Sequence, residues 1–203
     1  MPEIVTSVPL LLITGVLAYL LGSIPFGLVI TKAFGLGNLR EIGSGNIGAT
    51  NVLRTGSKPA ALATLLLDSG KGAIAVLVAR YMVGEDAAQL AGLMAFLGHL
   101  FPVWLGFKGG KGVATYLGTL LALSFPAGTV ACLTWLVAAA LFRISSLSAL
   151  VAAVSMPVAL VWLGRPDMVV LAIALGALIW VRHAGNIRRI MNGTEAKIGK
   201  KDK

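Results

Sequence analysis

Charged residues are scarce in this chain. Only 12% of its 203 residues are Asp, Glu, Lys or Arg, against roughly 25% in an ordinary soluble domain, whereas 57% are hydrophobic. This composition excludes a water-soluble globule and predicts a chain that lies largely within a lipid bilayer. Cysteine is almost absent as well. The single Cys132 lies in an apolar stretch, which leaves no disulfide framework and no cysteine-based metal site, so we interpret it as a packing residue.

Acidic residues are also few, with 8 Asp and Glu against 17 Lys and Arg, which gives a formal net charge of +9. They are scattered, and no group of His, Cys, Asp or Glu has the spacing of metal ligands. The G-x-S-x-G motif of a serine nucleophile is missing too. We therefore expect no metal and no cofactor. The surplus of cations and hydrogen-bond donors indicates a site that binds an anion.

Basic residues lie in short segments between apolar runs. This distribution is typical of membrane topology, of contact with anionic lipid or of an anionic substrate, and we expect no nucleic-acid partner. Most Lys and Arg lie in segment 32–58, in segment 107–112 and in the tail from Arg182 onward. The positive-inside rule places all three in the cytoplasm. Arg80 and Arg165 are expected outside.

Long apolar runs predict the membrane spans, since a transmembrane helix needs about 20 mostly apolar residues. Five runs are clear, at 8–31, 59–83, 87–106, 147–163 and 168–182. A further apolar stretch, 113–142, is interrupted near its middle by Pro126. Because two cytoplasmic segments must be joined by an even number of crossings, this stretch either crosses twice or forms a re-entrant hairpin.

We favour two crossings for 113–142. They predict an all-α integral membrane protein, a compact polytopic bundle of about seven transmembrane helices, some short or broken, with the N-terminus outside and the C-terminus in the cytoplasm. We treat 1–203 as a single domain with a basic tail, 196–203. Within the second span, Asp68 and Lys71 are three residues apart and can form an ion pair. The alternative is that they support a polar site near the cytoplasmic half.

The polar, glycine-rich sequences all fall in three predicted cytoplasmic loops, at about 32–58, 98–115 and 183–195. The first loop contains Gly43-Ser44-Gly45-Asn46-Ile47-Gly48-Ala49-Thr50-Asn51, followed by Arg54. Closely spaced glycines let backbone N–H groups converge on an anion, and the neighbouring side-chain donors would complete the pocket. A flexible linker is the alternative, but a linker needs no such donors, so we favour anion binding.

The second loop ends in Gly109-Gly110-Lys111-Gly112. It is not a P-loop, because Leu105 and Gly112 stand where that motif needs Gly and Ser or Thr. A lysine between glycines can still meet a phosphate as a point charge. The alternative, a basic residue that only sets topology, fits Lys108 better than Lys111.

The third loop begins where the last predicted span ends. His183 and Asn186 are three residues apart and can point at one ligand, with Arg189, Gly193 and Glu195 following. A histidine at a helix end is more commonly a capping or interfacial residue. Because the other two polar loops are predicted on the same side of the membrane, we favour a functional role for His183.

Together the three loops resemble those of the bacterial acyl-phosphate:glycerol-3-phosphate acyltransferases, the PlsY family. The resemblance covers nearly the whole chain and rests on three patterns: Gly43-Ser44-Gly45-Asn46-x-Gly48-Ala49-Thr50-Asn51-x-x-Arg54; Gly98-His99-x-Phe101-Pro102 with Phe107-x-Gly109-Gly110-Lys111-Gly112-Val113-Ala114-Thr115; and His183-x-x-Asn186-x-x-Arg189-x-x-x-Gly193-x-Glu195.

The resemblance implies a multi-pass enzyme of the bacterial cytoplasmic (inner) membrane, with its active site facing the cytoplasm. Such an enzyme transfers a fatty acyl group from acyl phosphate to the 1-hydroxyl of glycerol-3-phosphate, giving 1-acylglycerol-3-phosphate (lysophosphatidic acid) and phosphate in the first acylation step of phospholipid synthesis. It also implies a functional link to a soluble enzyme that makes acyl phosphate. The soluble acyltransferase signature, His followed five residues later by Asp, is absent at His99 and His183.

We assign site roles on this basis. Lys111 and Arg54 are expected to bind phosphate, and His183 and Asn186 to orient glycerol-3-phosphate. Ser44 and Thr50, together with glycine N–H groups, are expected to hold the acyl phosphate or the developing oxyanion. The hydroxyl proton goes to His183 or to the phosphate of the donor, and we favour the donor. The remaining predicted substrate-binding residues are Gly45, Asn46, Gly48, Asn51, His99, Gly109, Gly110, Gly112, Thr115, Arg189 and Glu195.

Three other classes of protein fit the sequence less well. A membrane transporter of phosphate or a small organic anion predicts an internal repeat and polar sites near the midplane, whereas this chain has no repeat and its polar motifs lie on one face. A synthase that transfers a phosphoalcohol needs acidic metal ligands, which are missing. A purely structural membrane module leaves the three loops unexplained.

Overall fold

The computed structural model describes residues 2–199 and is all-helical over that range. Lys200, Lys201 and Lys203 of the predicted basic tail lie outside the described residues. Ten α-helices follow in order: α1 Val8–Gly22, α2 Phe26–Ala33, α3 Ala49–Val52, α4 Lys58–Met82, α5 Glu85–Leu100, α6 Val113–Leu123, α7 Phe125–Phe142, α8 Ser145–Trp162, α9 Val169–Arg182 and α10 Ala184–Met191. Short 3-10 turns lie at Leu39–Glu41, Leu53–Thr55, Val103–Leu105 and Pro166–Met168.

Five helical stretches are long and apolar enough to cross a membrane: Val8–Ala33, Lys58–Met82, Glu85–Leu105, Phe125–Phe142 and Ser145–Trp162. The last two helices, at Pro166–Arg182 and Ala184–Met191, are bent by 62° and together make a sixth candidate. Helix α6, with 11 residues, is shorter. These stretches coincide with the predicted spans, and they confirm the prediction of a polytopic membrane bundle with some short or broken helices.

The apolar stretch 113–142 is broken at Ser124. The Ser124 hydroxyl accepts a hydrogen bond from Ala127 N at 3.5 Å, and Pro126 lies in the first turn of α7, where its missing N–H costs nothing. The carbonyl of Leu123, at the end of α6, accepts hydrogen bonds from Arg80 at 2.9 Å and from Arg165 at 3.3 Å. Since Arg80 lies near the end of α4, α6 reaches the same end of the bundle, which supports two crossings for 113–142.

Contacts of this kind define two ends of the bundle. We call the end where α4 begins at Lys58 and α9 ends at Arg182 the site end, because the three predicted loops lie there. At the opposite end α4 ends at Met82 and α5 begins; there Arg80 pairs with Glu85 at 2.7 Å, and Arg165 pairs with Glu85 and Asp167. Within residues 2–199 the chain runs seven times between these ends, starting at the opposite end and finishing at the site end.

Small residues let the helices approach closely. A Cβ added to Gly22 would collide with the carbonyl of Ala95, and one added to Gly118 would collide with the carbonyl of Ser69. The central helix α5 buries Ala87, Ala88, Ala91 and Ala95 completely. Large apolar side chains cover the outside instead, as expected for a surface that faces lipid; among them are Leu62, Leu66, Tyr81, Leu141, Trp162 and Val181.

Candidate active site

The three loops meet at the site end. The guanidinium of Arg40 donates to the carbonyl of Lys108, which joins the first loop to the second. The Lys111 ammonium donates to Asn186 Oδ1, which joins the second loop to the third. Thr50 and Ser145 lie 3.2 Å apart through their hydroxyl oxygens, which joins the first loop to the start of α8. The sequence placed these loops on one side, and the structure brings them into one site.

Lys111 lies at one end of a hydrogen-bonded chain. Asn186, which is buried, accepts from Lys111 and donates to Glu195 Oε1. Glu195 also accepts from the Ser146 hydroxyl at 2.7 Å and pairs with Arg189 at 2.6 Å. Burial alone would raise the pKa of Glu195, but these hydrogen bonds outweigh it and lower the pKa. The carboxylate therefore stays ionised and anchors the amide that holds Lys111.

The charge balance at Lys111 favours an anionic ligand. Burial lowers the pKa of the Lys111 ammonium to about 8. Glu195 opposes this shift, whereas three nearby guanidinium groups add to it, those of Arg189, Arg54 and Arg182. The positive charges of three arginines thus act on Lys111, against the negative charge of Glu195. A phosphate bound there would relieve the repulsion among the cations.

His183 is buried at the junction of α9 and α10. Its Nδ1 lies 2.8 Å from the carbonyl oxygen of Ile179. Because a carbonyl can only accept, Nδ1 carries the proton, and Nε2 is left with a lone pair. Burial, helped by the positive charge of Lys111, lowers the pKa of His183 to about 4, although the hydrogen bond to Ile179 opposes the shift. The ring is neutral at pH 7 and can accept a hydrogen bond from a hydroxyl.

Asn51 shapes the first loop from inside. Its amide donates to the carbonyls of Leu39 and Ile42 at 3.1 and 2.9 Å, and its Oδ1 accepts from Ser44 N at 3.1 Å. Both the amide nitrogen and the amide oxygen of Asn51 thus form hydrogen bonds within the first loop. The Ser44 hydroxyl, 3.3 Å from the same Oδ1, is exposed.

Arg54 lies over Gly43. A Cβ at Gly43 would be 2.6 Å from both Cδ and Nη1 of Arg54, and Gly43 has φ +52°, so only glycine fits there without strain. The exposed Arg54 side chain thus lies against the turn at Gly43. Within the same loop Gly45 has φ +66° and approaches the carbonyl of Arg40, while Gly48 packs against the Asn46 amide.

Arg182 is a site residue that sequence reasoning missed. Its guanidinium donates to the carbonyls of Gly109 and Gly110, at 3.1 Å each. It also lies over the ring of Phe101 at 5.6 Å. The signal was an arginine directly before His183, but at the end of a span it was indistinguishable from a topological charge.

His99 and Thr115 lie behind the site and not in it. Helix α5 continues through His99 to Leu100, and the ring is buried with Nδ1 3.5 Å from Asp68 Oδ1. Thr115 is buried as well and donates to the carbonyl of Asp68 at 2.9 Å. Asp68 and Lys71 form the predicted ion pair, at 2.9 Å. Gly112, with φ +83°, directly precedes α6, and a Cβ there would collide with Phe96.

Comparison with known proteins assigns this site to a family. A family model described as glycerol-3-phosphate acyltransferase matches residues 12–193. The chain belongs to the glycerol-3-phosphate acyltransferase family. A glycerol-3-phosphate acyltransferase of Cereibacter sphaeroides is 69% identical over 201 residues, which cover 99% of this chain and 96% of the relative. One of Dinoroseobacter shibae is 64% identical over 201 residues, 99% of each chain.

Two crystal structures of PlsY (YgiH), an integral membrane glycerol 3-phosphate acyltransferase, have the same fold. The glycerol 3-phosphate form has a TM-score of 0.88 at 43% identity, covering 93% of this chain and 96% of that one. The lysophosphatidic acid form has a TM-score of 0.86 at 42% identity, with 93% and 95% covered. The resemblance stated from the three loops is thereby confirmed: the chain is a multi-pass membrane acyltransferase that acylates glycerol-3-phosphate. The transporter alternative is not supported.

Proposed function

We propose that this enzyme transfers a fatty acyl group from acyl phosphate to the 1-hydroxyl of glycerol-3-phosphate, releasing lysophosphatidic acid and inorganic phosphate. The observation that carries the proposal is the contact of the Lys111 ammonium with Asn186, at a point where the charges of Arg189, Arg54 and Arg182 also act. Both proposed substrates bear phosphate, and the related PlsY has been crystallised in glycerol 3-phosphate and lysophosphatidic acid forms.

The residues of the site support acyl phosphate as the donor. Among the described residues the site has cations and hydrogen-bond donors, and His183 is a weak base because its pKa is about 4. An acyl phosphate is already activated, as a mixed anhydride with a good leaving group. The protein then needs only to align the hydroxyl with the carbonyl carbon and to stabilise developing charge.

Each substrate has its own set of residues in this proposal. Lys111 and Arg54 bind the phosphate of glycerol-3-phosphate, while Asn186 and His183 Nε2 orient this substrate, with Nε2 accepting from a glycerol hydroxyl. The exposed Ser44 hydroxyl and the glycine-rich backbone around it hold the acyl phosphate or the carbonyl oxygen that becomes negative. Glu195 acts through Asn186, as the anchor that keeps the amide oxygen turned toward Lys111.

The reaction is a single displacement at the acyl carbon. The 1-hydroxyl oxygen attacks the carbonyl carbon, a new C–O ester bond forms, and the bond from that carbon to the phosphate oxygen breaks. The departing phosphate takes the hydroxyl proton. A phosphate oxygen is a stronger base than an imidazole of pKa about 4, which favours the donor over His183 as proton acceptor.

The fatty acyl chain also requires an apolar environment, which the membrane supplies. The fatty chain of the donor and of the product lies along the apolar surface of the bundle, while the phosphates remain at the site end. We place the site end at the cytoplasmic face of the bacterial inner membrane, because all but three of the 17 Lys and Arg lie on that side of the predicted topology. The whole chain then forms one acyltransferase domain.

The donor proposal is tested with purified enzyme, glycerol-3-phosphate and either hexadecanoyl phosphate or hexadecanoyl-CoA, with EDTA and no added metal. We expect equal amounts of lysophosphatidic acid and phosphate from the acyl phosphate, and no product from the acyl-CoA. Comparable turnover with acyl-CoA would contradict the proposal, and so would activity that appears only when a divalent metal is restored.

A further inference from the structure

Three titratable side chains are buried together behind the site, although the mechanism uses none of them. Asp68 and Lys71, on α4, are 1% and 2% exposed, and His99, on α5, is 4% exposed. Lys71 Nζ lies 2.9 Å from Asp68 Oδ1, and His99 Nδ1 lies 3.5 Å from the same oxygen. Such a cluster within the spans is costly to bury and is seldom kept for stability alone.

The cluster joins four parts of the bundle at one point. The Lys71 ammonium also donates to the carbonyl of Ile24 at 2.9 Å, in the break between α1 and α2. Thr115, in the first turn of α6, donates to the carbonyl of Asp68 at 2.9 Å. Helices α4 and α5 supply the remaining groups. The position of the His99 ring is therefore fixed from several sides.

That ring lies directly against the backbone next to Lys111. The three atoms nearest to a Cβ built at Gly110 all belong to the His99 ring, and Nε2 would collide with it. Gly110 N donates to the carbonyl of His99 at 3.0 Å, while Arg182 holds the carbonyl of Gly110 from the other side at 3.1 Å. The residue before Lys111 is thus held between a buried ring and a guanidinium group.

We propose that Asp68, Lys71 and His99 are positioning residues for phosphate binding: they fix the His99 ring, which fixes Gly110 and hence the place of the Lys111 ammonium. This inference rests on the proposed role of Lys111 in binding the phosphate of glycerol-3-phosphate. None of the three touches substrate in this arrangement. A functional group must be held by packed supporting residues to keep its geometry, and this cluster supplies that support.

The test compares D68N with the wild type in steady-state kinetics and in thermal unfolding. We expect the KM for glycerol-3-phosphate to rise about tenfold and kcat to change less than about threefold, because a displaced Lys111 weakens substrate and transition state alike. A lower Tm with an unchanged KM would overturn the proposal and leave the cluster a purely structural role.

The matched control is D86N. Asp86 is a buried acid at the start of α5, at the opposite end, where it accepts hydrogen bonds from Val5 N at 3.1 Å and from Thr6 N at 2.9 Å. Its loss is expected to lower the Tm without moving the KM. Should D68N fail to fold because it leaves Lys71 without a counter-charge, the charge-balanced double variant D68N/K71Q is measured in its place, with the same expected rise in KM and the same contrary result.

A third arm separates this inference from the proposed function. In K111M the KM for glycerol-3-phosphate should rise by more than it does in D68N. An unchanged KM in K111M would remove the phosphate role on which the inference depends. A raised KM in K111M beside an unchanged KM in folded D68N or D68N/K71Q would overturn the positioning role alone.

Discussion

At the scale of single residues, Lys111 keeps its charge in a place that disfavours charge. Burial lowers its pKa to about 8, so the ammonium is largely protonated at pH 7 and is lost as the pH rises above 8. A phosphate can be held by the charged form only. Phosphate binding by Lys111 therefore depends on a pKa that lies just above neutral pH, and the binding is expected to weaken at alkaline pH.

We predict that kcat/KM for glycerol-3-phosphate falls about tenfold per pH unit above pH 8, since this quantity reports titration of the free enzyme. In K111R the fall should move beyond the accessible range, because a guanidinium stays protonated. A pH–rate series from 6 to 10 on both proteins checks this. A wild-type profile that stays flat to pH 10 would show that Lys111 does not titrate as described.

His183 provides the second prediction at this scale. With a pKa of about 4 and Nδ1 bonded to Ile179, its ring can accept a hydrogen bond but is a poor proton acceptor. We expect H183A to raise the KM for glycerol-3-phosphate and to lower kcat at saturating substrate less than about tenfold, whereas loss of a true general base costs roughly a hundredfold or more. A fall in kcat of about a thousandfold in folded H183A would assign the proton to His183.

At the scale of helices, the close contact between α4 and α6 sets where the second loop begins. Gly118 on α6 lies against the backbone of Ser69 on α4, and no side chain fits between them. We predict that G118A lowers stability by about 1 to 3 kcal/mol, as overpacking usually does. It should also reduce kcat/KM, because Gly112 and Lys111 precede the displaced helix. Thermal unfolding in detergent and steady-state kinetics measure both effects.

The control for that prediction lies on α4 itself. Gly70 has open space where a Cβ would stand, so G70A should be neutral or stabilising by roughly 0.5 to 1 kcal/mol through its better helix propensity. Equal losses of stability in G70A and G118A would indicate that both glycines act through helix propensity and that the contact with Ser69 is unimportant.

The elements themselves were largely predictable from the sequence. Apolar runs of sufficient length gave five spans within a few residues of their observed bounds, and Pro126 marked the break that the structure places at Ser124. The side-chain contacts were not predictable in the same way. Nothing local distinguishes Arg182, which holds Gly109 and Gly110, from an arginine that only ends a span. Asn51 looked like a ligand donor, yet its amide bonds to the loop.

At the scale of the whole molecule, seven runs between two ends bring loops far apart in sequence into one site. The pattern of basic residues predicts that the site end is cytoplasmic. In a C132S background, T194C should react with an impermeant thiol reagent in inverted membrane vesicles but not in intact cells, and G164C should show the reverse. Both positions are exposed: Thr194 follows α10 at the site end, and Gly164 follows α8 at the opposite end. Labelling of T194C from outside intact cells would reverse the proposed orientation.

The central claim is that a half-buried lysine, held by Asn186, which Glu195 anchors in turn, binds the phosphate of glycerol-3-phosphate. The most direct measurement is kcat/KM with acyl phosphate as donor for K111M beside K108M, a control in the same loop whose side chain is exposed. We predict a loss of at least about a hundredfold in K111M, or about 2.7 kcal/mol, and less than about threefold in K108M. A folded K111M protein that keeps the wild-type kcat/KM would contradict this account.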